Sequence, residues 1–259
     1  METIFLILGI GLILTVIFAY RIIETKYGYI QAERLRILQS LLFLLIIVVH
    51  GSITLGIANI AIFICISFFI SGLFEIIGVN TGCIFGSYKY TDRACPLPSI
   101  LGVPLCYPLA WVGLTYAGFW TGLLLFKNVP TAIIHFDWQL ILGISVLVTL
   151  LDVISDPIAV HEGRWAWQRP GKFYNVPLTN FIGWLFTALV ILTAFKYSAT
   201  LMNPVAVSPT LTYLPVLGYI IFAGASARVC FERQLKIPAY LGVITAVTIL
   251  SVSLLKLYF

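Results

Sequence analysis

Hydrophobic residues in this chain run in long unbroken blocks, and polar residues gather between them. A helix crossing a bilayer takes about 20 apolar residues. Eight stretches reach or approach that length: 3–20, 36–50, 53–78, 100–126, 132–154, 178–196, 211–230 and 238–256. The pattern predicts an all-α fold, a polytopic transmembrane helical bundle of eight helices with both termini outside. The alternative is seven helices, if the second and third stretches merge across His50-Gly51-Ser52. Pro157 is expected to end the fifth helix, because proline removes a backbone donor. Glu2, with no basic leader or small-residue cleavage site, makes the first block read as a retained helix. No polar stretch is long enough for an appended soluble domain, so residues 1–259 read as a single integral membrane domain.

Lysines and arginines choose between the two counts. With eight spans, the inward segments hold Arg21, Lys26, Arg34, Arg36, Lys89, Arg93, Arg164, Arg169, Lys172, Arg228, Arg233 and Lys236. The outward side holds only Lys127, Lys196 and Lys256. That bias of 12 to 3 follows the positive-inside rule, and merging two spans destroys it. The net charge of +5 is therefore a matter of topology and calls for no nucleic acid partner. The inward segment 21–36 mixes charges with Ile and Leu, as an interfacial helix does.

Composition strengthens the membrane reading. Charged residues make up 10% of the chain and hydrophobic ones 61%, whereas a soluble domain carries about 25% charged residues. Cys65, Cys83, Cys95, Cys106 and Cys230 form no CxxC pair, so they read as small apolar fillers and not as a zinc site or disulfide framework.

Ionisable groups inside a bilayer are expensive, so each is a functional candidate. Glu75 lies near the inner end of the third span, and Ser71, Gly72 and Gly78 share its helix face. A face of small residues packs on another helix, which turns Glu75 inward. Ser145, Thr149, Asp152 and Asp156 form a polar stripe on the fifth span. Two carboxylates one turn apart repel when both are ionised, and such pairs share a proton and serve acid–base chemistry. The plainer roles are a structural carboxylate for Glu75 and a solvated helix end for the aspartates. Two inward loops flank these groups: 80–92, containing Tyr88 and Tyr90, and 161–174, containing Trp165 and Trp167. Their aromatics fit membrane-interface anchors, and their glycines and proline fit fixed conformations over a pocket. Asn180, in the sixth span, bonds across helices or reaches that pocket. His50, His135 and Asp137 are expected to be solvated at the outer side, His161 in an inner loop, and Arg228 and Glu232 to pair at i,i+4. No metalloprotease, serine-hydrolase, P-loop or dinucleotide-binding motif occurs.

Two longer stretches carry a resemblance. One is Phe74-Glu75-Ile76-Ile77-Gly78-Val79-Asn80-Thr81-Gly82 with Phe85-Gly86-Ser87-Tyr88-Lys89-Tyr90. The other is Leu151-Asp152 through Asp156-Pro157, then Gly163-Arg164-Trp165-Ala166-Trp167, Gly171, Tyr174 and Val176-Pro177-Leu178-Thr179-Asn180-Phe181-Ile182-Gly183-Trp184. With Gly102-Val103-Pro104 and Ala110-Trp111, they resemble the carotenoid-biosynthesis membrane hydratases, over roughly residues 68–190. Asn175 departs from the glycine of that pattern. The resemblance implies a cofactor-independent hydro-lyase of the cell membrane. Such an enzyme adds water across the terminal C1–C2 double bond of a long acyclic carotenoid of the bisanhydrobacterioruberin, lycopene or γ-carotene kind. It implies Glu75, Asp152 and Asp156 as acid–base groups. Tyr88, Tyr90, Trp165, Trp167, Asn180 and Trp184 are implied around the substrate, with other carotenoid-biosynthesis enzymes as partners. The residues alone also admit a proton-coupled carrier of isoprenoid lipid, or an isomerase that starts from the same cation.

Overall fold

The computed structural model describes residues 9, 11, 19, 22–27, 29–127, 137–199 and 209–258. Seven long helices lie in this part: α1 (Tyr29–Thr54), α2 (Ile57–Thr81), α3 (Cys106–Phe126), α4 (Trp138–His161), α5 (Leu178–Ser198), α6 (Pro209–Glu232) and α7 (Lys236–Tyr258). All seven are long and apolar enough to cross a membrane, and the chain is a polytopic helical bundle. The predicted first span, 3–20, lies almost wholly outside the described residues, as does His135. The stretch 21–36 divides: residues 22–27 are helical, and 29–36 are the first turns of α1.

α3 is the hub, packed against α1, α2, α4, α6 and α7. Without a hydrophobic force between helices in lipid, close approach at small residues drives such packing. A Cβ on Gly118 would come within 2.6 Å of Val148, and one on Gly122 within 2.4 Å of Ile144, so α3 and α4 meet almost backbone to side chain. Outside, Leu45, Phe69, Leu73, Leu142, Val146 and Leu254 are exposed along the helices, as lipid-facing residues are.

Charge separates between the two ends of the bundle. At one end Lys256 donates to the Leu124 carbonyl (2.7 Å), Lys127 pairs with Asp137 (2.5 Å), and Lys196 lies over the Trp138 ring. Asp137 also caps α4 by accepting from the Leu140 N–H (2.7 Å). Lys127, as its hydrogen-bonding partner, holds that carboxyl below its ordinary range. At the other end Glu162 is flanked by Arg164 (2.7 Å) and Arg233 (3.7 Å). Arg228 and Glu232 make the expected ion pair.

Five expectations need correction. The break between α1 and α2 falls at Leu55-Gly56, four residues beyond His50-Gly51-Ser52. Gly51 stays helical, and its lack of a side chain lets Ile60 of α2 pack within 2.4 Å of where a Cβ would stand. The segment before α3 is not helical: β2 (Ser99–Ile100) and β3 (Val103–Pro104) form a small antiparallel hairpin. Pro157 does not end α4, which continues one more turn to His161. Proline removes only one hydrogen bond of the ladder, and the surrounding bundle holds the last turn. Cys95 and Cys106 are joined in a disulfide, their Cα atoms 6.5 Å apart across the turned-back β2–β3 segment. The remaining cysteines are free.

His50 is also not solvated but fully buried. Its Nε2 lies 2.7 Å from the Leu211 carbonyl, which only accepts, so that nitrogen carries a proton. Its Nδ1 is 2.6 Å from the Tyr116 hydroxyl. In a regular helix the Leu211 carbonyl would face the N–H of residue 215, and Pro215 has none. His50→Ala takes the imidazole from both partners and is expected to cost about 1–3 kcal/mol. Thermal unfolding in detergent would show a lowered midpoint, and an unchanged midpoint would refute this role.

Candidate acid–base site at the basic end of the bundle

The site is built where four helix ends meet two loops. Gly82, in the left-handed conformation (φ 75°), caps α2 and turns the chain into β1 (Tyr88–Tyr90). β1 pairs antiparallel with β4 (Trp165–Trp167), with Tyr88 opposite Trp167 and Tyr90 opposite Trp165. Side chains alternate along a strand, so Tyr88, Tyr90, Trp165 and Trp167 share one face of this ribbon. That face covers the ends of α2 and α4. Gly183 on α5 allows the ribbon loop to seat, because a Cβ there would stand 2.5 Å from the Ile84 carbonyl.

Glu75 is buried beneath the ribbon. Its Oε2 accepts from the hydroxyls of Tyr88 and Tyr90, the latter at 2.9 Å. Its Oε1 accepts from the indole N–H of Trp111 on α3 at 3.1 Å. Asp152 and Asp156 are equally buried on α4. The Asn180 amide of α5 donates to Asp152 Oδ2 (2.9 Å) and to Asp156 Oδ2 (2.8 Å), tying the two carboxyls together. Trp165 donates its indole N–H to Asp156 Oδ1 (2.8 Å). Tyr90, bonded to Glu75, stands edge-on to Trp165, bonded to Asp156, so the three carboxyls gather beneath one ribbon face. Among the described residues, no group of three His, Cys, Asp or Glu is arranged to hold a metal ion.

Aromatic rings wall the cluster. Trp111 stacks on Trp184 with centroids 3.8 Å apart, and Tyr90 stacks on Tyr107 at 4.5 Å. Trp165 stands edge-on to Tyr90 and Tyr107 (6.0 and 5.4 Å). Trp167 packs at 5.7 Å from Tyr88, but its N–H goes to the Phe85 carbonyl (3.0 Å) and not to a carboxylate. Beyond Tyr90 and Trp165, a polar cavity of about 420 Å³ opens, lined by Thr91, Asp92, Arg93, His161, Glu162 and Gly163. His161 is exposed there, as expected.

The structure thus draws together all nine residues singled out from the sequence. It adds Trp111 as a direct partner of Glu75 and Tyr107 as a wall of the site. Trp111 stood in a quoted motif without a role, and Tyr107 carried no signal at all. Asn175 has φ 66°, a left-handed position that favours glycine and that asparagine tolerates best among other residues.

Both ribbon tyrosines are held neutral. Burial, and then the Glu75 charge, push the phenols of Tyr88 and Tyr90 well above the usual range. A group whose folded pKa is raised stabilises the fold below its unfolded value, about 10 for tyrosine, and loses that contribution as pH rises beyond it. Unfolding midpoints are therefore expected to fall above about pH 10 in wild type, and less steeply in a Tyr88→Phe/Tyr90→Phe variant. Equal alkaline slopes would contradict this.

The sequence profile of the carotenoid biosynthesis protein family matches residues 35–249. The chain belongs to that family. The chain is also 32% identical over 124 residues to a bisanhydrobacterioruberin hydratase of Haloarcula japonica. That alignment covers 48% of this chain, and the chain spans 40% of the relative's length. No solved structure matches. Family membership and the apolar helices make this carotenoid biosynthesis protein a multi-pass membrane protein.

Proposed function

We propose that this family member is a carotenoid hydratase, adding water to the terminal C1–C2 double bond of an acyclic carotenoid by acid catalysis. The observation that carries the reading is the buried three-carboxyl cluster walled by aromatic rings. Hydrating a trisubstituted alkene takes a proton donor, a shielded tertiary cation and one placed water. It takes no redox change. The family and the relative's name support a carotenoid as the substrate.

The donors divide the roles. Glu75 accepts three hydrogen bonds, an arrangement suited to a carboxylate that remains an acceptor. Asp152 and Asp156 share one amide and, one turn apart, suit the retention of a transferable proton. In this account one aspartate protonates C-2 and the positive charge forms at C-1. The faces of Trp111, Trp184, Tyr90 and Trp165 and the Glu75 charge stabilise it. Glu75 then takes a proton from the water that attacks C-1, and exchange with solvent resets both groups.

In this reading the site faces the cytoplasm and both termini lie outside, which the excess of basic residues at this end supports. Water enters through the polar cavity beside Tyr90 and Trp165, while the polyene lies among the helices.

The test is expression in a host that accumulates an acyclic C40 or C50 carotenoid, followed by mass analysis of the pigments. A gain of one or two waters supports the hydratase. Inserted protein that leaves both precursors unchanged in mass would overturn it.

A further inference from the structure

The α2–α3 seam continues past Glu75 into a second polar region. Ser67, Ser71 and Glu75 recur every four residues and share one face of α2. Thr115 follows Trp111, the partner of Glu75, by four residues on α3. Contacts on either side fix the register of these antiparallel helices. Phe63 meets the rings of Tyr116 and Phe119 at 5.5 and 5.9 Å, and a Cβ on Gly72 would lie 3.4 Å from Pro108. Between these limits Ser67 and Thr115 stand at one level, about 12 Å along α2 from Glu75.

Both residues are 0% exposed, and neither hydroxyl has a hydrogen-bond partner. Ser71, between Ser67 and Glu75, is different: it donates to the Ser67 carbonyl at 2.6 Å. A buried hydroxyl without a partner is destabilising, and most buried polar groups are satisfied. Two at one level, on the face that carries Glu75, match a ligand oxygen that both can reach.

We propose that Ser67 and Thr115 form a niche for a neutral hydroxyl group, either a retained water or an alcohol carried on the substrate behind its reacting end. Each side chain donates to that oxygen, and either accepts its proton in return. The inference rests on the hydratase reading and deepens it. A water held here is a reserve about 12 Å behind the acid–base cluster, on the same helix face. An alcohol held here sets the position of the alkene against the carboxyls.

The experiment uses the full chain in membranes, with Ser67→Ala, Thr115→Val and the hydroxyl-retaining Ser67→Thr and Thr115→Ser. Two acyclic carotenoids are supplied, alike except for one hydroxyl about 12 Å behind the reactive end, the distance of the niche from Glu75. If the niche holds a substrate alcohol, KM for the hydroxylated carotenoid rises about tenfold in the hydroxyl-free variants, with the other unchanged. If it holds water, both substrates slow by about the same factor. Either result supports the niche, provided the hydroxyl-retaining variants keep their activity. Wild-type rates on both substrates in the Ala and Val variants, with raised thermal stability, would overturn it. So would equal losses in the hydroxyl-retaining variants, which would mark a packing effect. Wild-type protein inert toward both substrates overturns the hydratase reading itself.

Discussion

Asp156→Asn is expected to abolish conversion of the carotenoid, lowering turnover by about 10²–10⁴, the contribution of a positioned general acid. The amide preserves shape and can still accept at Oδ1 from the Trp165 N–H, 2.8 Å away in the native protein. It supplies no proton at C-2 and ends the sharing with Asp152. With its one oxygen turned to Trp165, the new amide presents an NH2 to the Asn180 NH2, so Asn180 keeps only its bond to Asp152. Asp152→Asn is expected to act in the same way, because the pair holds the proton jointly. Neither hydrated nor isomerised carotenoid should form. Turnover within tenfold of wild type in both single variants, at matched protein levels, would refute the assignment of the acid to this pair.

Glu75→Gln is expected to lose water addition by a similar factor, but through a different step. Glutamine has one acceptor oxygen, whereas Glu75 receives Tyr88 and Tyr90 on one oxygen and Trp111 on the other. One of these donors would face an amide N–H. The variant also lacks the negative charge that stabilises the cation and the base that activates water. The aspartate pair remains, so protonation of C-2 continues slowly. A cation formed without captured water loses a proton from a neighbouring carbon and returns an alkene. The expected products are traces of an isomerised carotenoid with no added oxygen. Retained alcohol formation in Glu75→Gln would show that Glu75 is structural.

The carboxylates were legible in the sequence because charge in an apolar run has no bland explanation. Asp152, Asp156 and Glu75 each stand in such a run, and the helix period places their faces. Seven of the eight predicted spans fall on observed helices for the same reason, while the first lies almost wholly outside the described residues. The ribbon was not legible. Tyr88 and Trp167 pair across 79 positions through strands of three residues, too short for any alternation to register. Trp111 and Tyr107 read as apolar helix residues, because an indole N–H or a phenol leaves no mark in a hydrophobic run. His50 was misjudged because it stands near a predicted helix end, where water is the default partner. Its real partners come from Tyr116 and Leu211, far along the chain.

The most direct test of proton transfer followed by water capture is a double-label experiment on the membrane-inserted protein. The reaction is run once in D2O and once in water enriched in oxygen-18, and the products are analysed by mass and NMR. The account predicts one deuterium at C-2 and one labelled oxygen at C-1 for each end hydrated. It also predicts neither label with Asp156→Asn, and deuterium without oxygen in the residual product of Glu75→Gln. Oxygen that does not come from water, or an alcohol formed without deuterium at C-2, would contradict it.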